Sequence, residues 1–429
     1  MEKVVSLSKR RGFVYPGSEI YGGLANTFDF GPLGVELKNN IKREWWKNFV
    51  QSRLDVYGLD GGILLSPRVW EASGHVKGFI DVFVDCLQCR KRFRVDQLAE
   101  AQKCPECGGA FTEPRRFVPM FKTFIGPVET AASVAYLRPE TAQAIFINFK
   151  NILDSFHPEI PFGIAQIGKA FRNEITLGNF IFRSLEFEQM EIEYFIRETE
   201  WERYFVFWKQ AMEDWLTGLG VRKEKLRWRR HTPEELAHYS KRTEDLEYEF
   251  PFGVKELYGL AYRTDFDLRN HSQGAKVELS YRDPVTNERF YPHVIEPSMG
   301  VERTFLVLLL EAYNEEEVKG EKRVVLKLNP KIAPFKAAVF PLLANKEDLV
   351  NKAKEIYDHL KFELSVTFDT RGNIGKRYFA QDEIGTPWCV TVDFQTLEDQ
   401  TVTVRDRDSM KQERIAVDKL LFYFQNKLR

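Results

Sequence analysis

The sequence predicts an α+β protein in which a first domain, carrying an antiparallel hairpin and a small four-cysteine insertion, precedes a separate mixed α/β domain. Three observations carry this. Between Phe162 and Ile196, two extended runs flank a turn at Leu177-Gly178-Asn179, the pattern of a hairpin. Cys86-x2-Cys89 and Cys104-x2-Cys107 set four thiols at metal-ligand spacing. Past Pro330 and Pro334, strand-like and helix-like runs alternate over about a hundred residues.

The elements follow in order. A chain of 429 residues should form two or three domains, and 43% hydrophobic against 29% charged residues excludes a disordered one. Charged and turn residues fill Met1 to Gly23, and the longest apolar stretch, Phe305 to Leu310, is far short of a membrane span; a cytoplasmic protein is expected. After Gly31-Pro32-Leu33-Gly34, apolar residues recur at Leu37, Ile41, Trp45 and Phe49, predicting a helix whose stripe packs into the core or against a second subunit. Thr199 to Leu219 predicts a helix with Tyr204, Phe205, Trp208, Met212 and Trp215 available for one face. Arg222 to Arg230 holds six basic residues in nine, either a phosphate-binding patch or a solvated loop. Val301 to Tyr313 is apolar nearly all round and so a buried helix. The charged stretch Asn314 to Arg323 leads to an apolar run, Val324 to Leu328, before the boundary. Beyond it, strands are expected at Ala337–Leu342, Leu364–Phe368, Trp388–Asp393 and Thr401–Arg405, with helices at Lys346–Leu360 and at the end. The expected domains are therefore 1–330, with an insertion at 84–110, and 331–429.

Some residues carry chemistry. Two Cys-x2-Cys turns can present four thiolates tetrahedrally, the closed set of a structural zinc site, while Cys389 reads as a core thiol. In the hairpin, Arg183, Phe187 and Glu191 stand at even spacing, and so do Arg172 and Glu174, so one face would offer guanidinium, ring and carboxylate. Surface ion pairs would produce the same pattern. The helix starting at Val301 turns its N-terminal dipole and Arg303 toward any polyphosphate, and Glu296 directly precedes it. Glu140 lies in Arg138-Pro139-Glu140-Thr141-Ala142-Gln143, at another helix start.

With these residues in place, the chain resembles the class II aminoacyl-tRNA synthetases, and within them the single-chain, dimeric glycyl-tRNA synthetases. Gly31 to Asn40 is similar to the family's dimer motif. Phe171-Arg172-Asn173-Glu174 with Phe182-Arg183 and Glu186 to Glu191 resembles its second motif, and Glu296-Pro297-Ser298 with Gly300-Val301-Glu302-Arg303 its third. Arg138 to Gln143 resembles a stretch particular to the glycine enzymes.

The resemblance implies an antiparallel-sheet catalytic domain, a mixed α/β anticodon-binding domain, and a homodimer that uses glycine, ATP, Mg²⁺ and glycine tRNA, with no membrane partner. It implies catalytic roles for Arg172 on the α-phosphate and Arg303 on the γ-phosphate. Asn173, Glu174, Phe182, Arg183, Phe187, Glu256, Leu257 and Gly300 would complete the ATP site, with Phe187 stacking on adenine and Glu256 contacting Mg²⁺. Glycine would meet Arg94, Glu140, Phe187, Gln189, Glu191, Glu296 and Ser298. Three carboxylates converging on one point need a cation between them, which the glycine ammonium supplies. No editing domain is expected, because a site for the smallest amino acid excludes the others by size. Two readings compete: a synthetase of the same subclass for proline, threonine, serine or histidine, and a synthetase-like accessory subunit without activity. Arg371, Lys376, Arg377, Arg405 and Arg407 are candidate phosphate contacts of the C-terminal domain.

Overall fold

The computed structural model describes residues 1–78, 80–95, 98, 103–174, 178–237, 239–318 and 320–428. Its first helix of consequence, α1 (Pro32–Trp46), starts with Pro at N1 after an extended Gly31, where a missing N–H costs nothing. Leu37, Ile41, Trp45 and Phe49 are all buried, and the Trp45 Nε1–H points at the Met299 sulfur 3.2 Å away. The apolar stripe is therefore core. Gly34 is required here by a close approach: a Cβ would lie 1.9 Å from the Phe13 carbonyl oxygen.

The central sheet is then assembled from β1 (Val56–Gly58), β2 (Phe162–Phe171) behind helix α2 (Ala142–Phe156), β3 (Glu186–Ile196), and, after helix α3 (Trp201–Gly218), β4 (Leu226–Arg230), β5 (Arg242–Phe250) and β6 (Gly253–Thr264). Helix α4 (Phe266–Ala275), β7 (His293–Gly300) and α5 (Val301–Ala312) complete it. The spatial order is β4-β5-β6-β7-β3-β2-β1, antiparallel at every pairing except β2 with β1. Trp45, Trp208, Met212 and Phe305 pack on one face of this sheet in a single apolar cluster, and α2 and α4 cover part of the other with Phe146, Phe149 and Leu268.

Three readings of this region change. The hairpin connection is longer than a tight turn: β2 ends at Phe171 and β3 begins at Glu186, with a 3-10 turn at Phe180–Phe182 between them. Arg172, Glu174 and Arg183 therefore stand in the connection and not on the strands, and Leu177 of the expected turn lies outside the described residues. The basic run is not a free loop. It is a 3-10 turn, Lys223–Lys225, followed by the edge strand β4, and acids from other elements pair with it: Arg222 and Lys225 with Glu311 (2.7 and 2.9 Å), Lys223 with Glu213 (2.7 Å), Arg227 with Glu247 (2.6 Å) and Arg229 with Asp245 (3.2 Å). The charged stretch after α5 is itself a hairpin, β8 (Tyr313–Val318) with β9 (Glu321–Leu326).

The C-terminal part is a five-stranded mixed sheet. It comprises β10 (Ala337–Pro341), α6 (Glu347–Leu360), β11 (Val366–Phe368), α7 (Ile374–Ile384), β12 (Trp388–Val392), β13 (Thr401–Asp406), β14 (Gln412–Ala416) and α8 (Leu420–Lys427). The order β11-β10-β12-β13-β14 pairs the first three strands in parallel and the rest antiparallel. Its own apolar cluster joins Ala337, Leu349, Ile356, Trp388, Val402 and Phe424. Cys389 is buried there, and burial pushes its thiol upward, as suits an inert core residue.

The candidate phosphate contacts divide. Arg371 pairs with Asp369 at the surface. Arg377, Arg405 and Arg407 are buried and occupied: Arg377 donates to the Pro341 carbonyl, Arg405 to Asp382, and Arg407 to the Leu328 and Gly385 carbonyls. A guanidinium in a local sequence does not reveal which buried carbonyls it ties together. Arg407 reaches across the boundary at Pro330, and so does Arg323 of β9, which is fully buried against Asp382 (2.8 Å) of α7. Arg11 of the N-terminal helix Glu2–Arg11 adds a bond to Glu383 (2.6 Å). Among the described residues, no helix is long and apolar enough to cross a membrane.

Candidate active site

The site is written on one face of the sheet by strand alternation. On β3, Gln189, Glu191 and Glu193 share a face. Glu191 lies opposite Ser298 of β7 and Gln166 of β2, and Glu296 opposite Ala261 of β6, two residues before Arg263. Residues far apart in the chain thus meet. Glu188 turns to the other face, where buried Lys38 of α1 sits between it (2.7 Å) and Glu302 of α5 (2.6 Å). Glu302 also accepts from the Glu188 backbone N–H at 2.8 Å. This clamp fixes the α5 N-terminus, and with it Arg303, to the sheet.

Of the residues expected to hold ATP, Arg172, Glu174, Phe182, Arg183, Phe187, Glu256, Leu257, Gly300 and Arg303 line a single cavity, together with Gln189 and Ser298. The arginines are held ready. Arg172 donates to the Pro139 carbonyl (3.0 Å) and lies 5.5 Å from the centre of the Phe187 ring. Arg303 lies over Phe182 (4.7 Å) and pairs with Glu256 at 3.1 Å. The guanidinium of Arg303, with Arg172 behind it, holds the half-exposed Glu256 carboxyl below its ordinary range. Asn173 is outside the cavity lining; its backbone N–H donates to Pro119.

Of the residues expected to meet glycine, Glu140, Gln189, Glu191 and Glu296 form a buried cage beside the cavity, and Phe187, Gln189 and Ser298 line the cavity itself. Gln189 links the two, accepting from the Thr141 backbone N–H (3.1 Å) and donating toward Ser298 (3.4 Å) and Glu191 (3.5 Å). Glu191 also accepts from the Thr141 hydroxyl. Glu140 accepts from Gln143 (3.0 Å) and stands 3.3 Å from His75. Burial opposes the Glu140 charge, but His75 and Arg263 outweigh it and hold this carboxyl well below the usual range. Glu191 is pushed the other way by burial and by the Glu140 charge. Glu296 is raised well above a normal carboxyl by burial, although Arg263 bonds it at 2.9 Å. Arg138, in the same stretch as Glu140, is a strut: it donates to the carbonyls of Lys169 (2.6 Å) and Gly61 (2.7 Å). Arg94 does not line the cavity. It lies on the strand Arg92–Arg94 of the insertion and pairs with Asp81 at 3.1 Å.

Several cage members were not legible locally. Arg263 donates a bidentate pair to Asp267 (2.8 and 2.9 Å) and stacks 3.8 Å from the Tyr239 ring centre. Gln143 bridges Glu140, Asp267 (3.1 Å) and His271 (2.7 Å). The one available signal was the run Gln189, Glu191, Glu193, three polar residues at period two alternating with Met190, Ile192 and Tyr194, which marks a buried functional face.

In the insertion, Cys86, Cys89, Cys104 and Cys107 bring their sulfurs within 4.8 Å of one another. The Cys86–Cys107 and Cys89–Cys104 sulfurs lie 3.4 and 3.7 Å apart. Thiolates at about 2.3 Å from a tetrahedral ion would stand at nearly this spacing, so the donor set fits zinc. The Cys89 backbone N–H, against burial, lowers the Cys86 thiol to about 6. Despite the Lys91 backbone N–H, burial and its sulfur neighbours push Cys89 up to about 12. A divalent cation would relieve that repulsion.

Comparison with known proteins agrees with this arrangement. Residues 128–313 match the tRNA synthetase class II core domain (G, H, P, S and T), and residues 336–427 match an anticodon binding domain. The glycine--tRNA ligase of Alkaliphilus oremlandii is 52% identical over 458 aligned residues, covering 100% of this chain and 98% of its own. Those of Thermobifida fusca and Acetivibrio thermocellus are each 53% identical with the same coverage. A motif-bearing sheet face, two matching domains and half-identity from end to end leave one conclusion: the chain belongs to the family of glycine--tRNA ligases.

Proposed function

We propose that this chain activates glycine with ATP, forming glycyl-adenylate and pyrophosphate, and then transfers glycine to the terminal adenosine of glycine tRNA. One observation carries this most directly: a cavity edged by Arg172, Phe187 and Arg303 runs into a buried carboxylate cage through Gln189 and Ser298. That juxtaposition suits a nucleotide and an ammonium held end to end. Attack of the glycine carboxylate on the α-phosphorus needs alignment and charge neutralisation more than a protein nucleophile. In this reading Arg172 takes the α-phosphate and Phe187 stacks on adenine, while Arg303 exchanges its pairing with Glu256 for the γ-phosphate. Glu256 and Glu174, both on the cavity wall, would hold Mg²⁺, which when bound neutralises phosphate charge. Glu140, Glu191 and Glu296 receive the ammonium, and selectivity rests on the lack of room for a side chain. Arg94 and Asn173 keep their proposed substrate contacts only if glycine or ATP draws them inward.

The division at residues 330 and 331 and the reading of the anticodon by the second part are part of the same proposal, as are action in the cytoplasm and as a homodimer. Ile20, Tyr21 and Leu24, strongly exposed on the loop before α1, supply apolar surface for such a partner. The four cysteines are proposed to hold a structural zinc. Elemental analysis of purified protein is expected to find about one zinc per chain, and Cys104→Ser to lose it; a metal-free protein of normal stability would reject the assignment. Amino-acid-dependent ATP–pyrophosphate exchange, run across all twenty amino acids, tests the activity. Glycine alone should support it, and exchange with proline, threonine, serine or histidine in its place would overturn the reading.

A further inference from the structure

Glu193 has no part in the scheme above, yet it is the most deeply buried acid of the cage. Its side chain is fully buried, and neither carboxyl oxygen has a hydrogen-bond partner. It projects from β3 on the same face as Glu191, and carboxylate oxygens of Glu191, Glu193 and Glu296 lie within 4.8 Å of one another. Four elements bring a charge to this point. Glu191 is on its own strand, Glu296 on β7, Arg263 on β6 and Asp267 on α4, with Glu140, His75 and His271 beyond them. Arg263 is committed to Asp267 and Glu296. Five buried carboxyl groups thus face two guanidinium groups, of which Arg138 is spent on backbone carbonyls, and two imidazoles, and an empty cage with all five ionised would repel itself severely.

We propose that Glu193 is a positioning residue of the glycine subsite: the Glu193–Glu296 pair holds one proton in the empty enzyme and surrenders it to solvent when the substrate ammonium enters. One positive charge arrives and one leaves, so the cage keeps its net charge, and Glu193 acts through its neighbour Glu296, whose carboxylate meets the ammonium. Burial first, then the Glu296 charge, raises Glu193 well above a normal carboxyl, which agrees with a neutral acid in the empty state. Because the pair is coupled, the proton belongs to both residues. This deepens the glycine reading and rests on it.

The test is isothermal titration of the full-length chain with glycine near pH 7 in phosphate and in Tris, whose ionisation enthalpies differ. The expected result is release of about one proton per site. Glu193→Gln keeps the shape and removes the proton: release falls to near zero and the glycine KM rises about tenfold, while kcat and the ATP KM change less than about twofold. Glu193→Asp, which can still ionise, retains the release. Buffer-independent heats for the unmodified chain, or undiminished release in Glu193→Gln, would overturn the proposal. If Glu193→Gln does not fold, the unmodified chain and Glu193→Asp still decide it. Failure of glycine to support pyrophosphate exchange at all sinks the glycine reading instead, so the two failures are told apart.

Discussion

Arg172→Ala lowers glycine-dependent ATP–pyrophosphate exchange by about 10²–10³-fold, the loss expected when one preorganised donor to a developing phosphate charge is removed. The fold should survive. Arg172 lies beyond the end of β2, its surroundings are half-open, and the backbone bond between its N–H and Leu185 does not depend on the side chain. Arg172→Lys is expected to recover only part of the rate, because an ammonium cannot copy a planar fork that spans Pro139 and a phosphate. Melting temperature and circular dichroism should match the unmodified protein in both variants. Exchange within a few-fold of normal in Arg172→Ala would remove this residue from the phosphate site.

Arg263→Met has the opposite profile: it damages the fold itself. The guanidinium is fully buried and satisfies Asp267 twice and Glu296 once, so its removal strands two acids without their counter-charge. Breaking one side of such a buried cluster costs about 3–5 kcal/mol. The loss should also depend on pH, with a definite sign. Glu296 is already raised in the folded state, so the folded protein binds more protons than the unfolded one, and stability from this group is lost as pH rises through its folded value. Without Arg263 that value climbs further, and denaturant midpoints should fall more at pH 8 than at pH 5.5. Equal destabilisation at both would mean that the cage does not govern the effect.

How much of this was legible beforehand depended on the range of the signal. Helices α1, α3, α5 and α6 declared themselves through local periodicity, and the paired cysteines through spacing. Strand endpoints were harder. Arg172, Glu174 and Arg183 continue a β-like composition past Phe171, but the chain leaves the sheet there to carry them over the cavity. Short C-terminal elements such as α7 and β14 escaped because Ile374–Ile384 buries polar groups, Arg377, Gln381, Asp382 and Glu383, that read as a solvent face. The acid partners of Arg222 to Arg230 were hidden for a related reason. They sit on β5, α3 and α5, up to 89 residues away in sequence, and only the folded sheet brings them within ion-pair distance. The Glu140, Glu191 and Glu296 set was visible because family resemblance named it; Arg263 and Glu193, equally central, lacked any such label.

The Arg323–Asp382 ion pair, sealed from water, joins the two halves of the chain, with Arg11 on Glu383 and Arg407 on the Leu328 carbonyl beside it. A joint of that kind does not swivel cheaply, since any hinge motion would open it to solvent one unmatched ion at a time. The protein is therefore a calliper with fixed jaws: the distance between its two sheets is set by the fold.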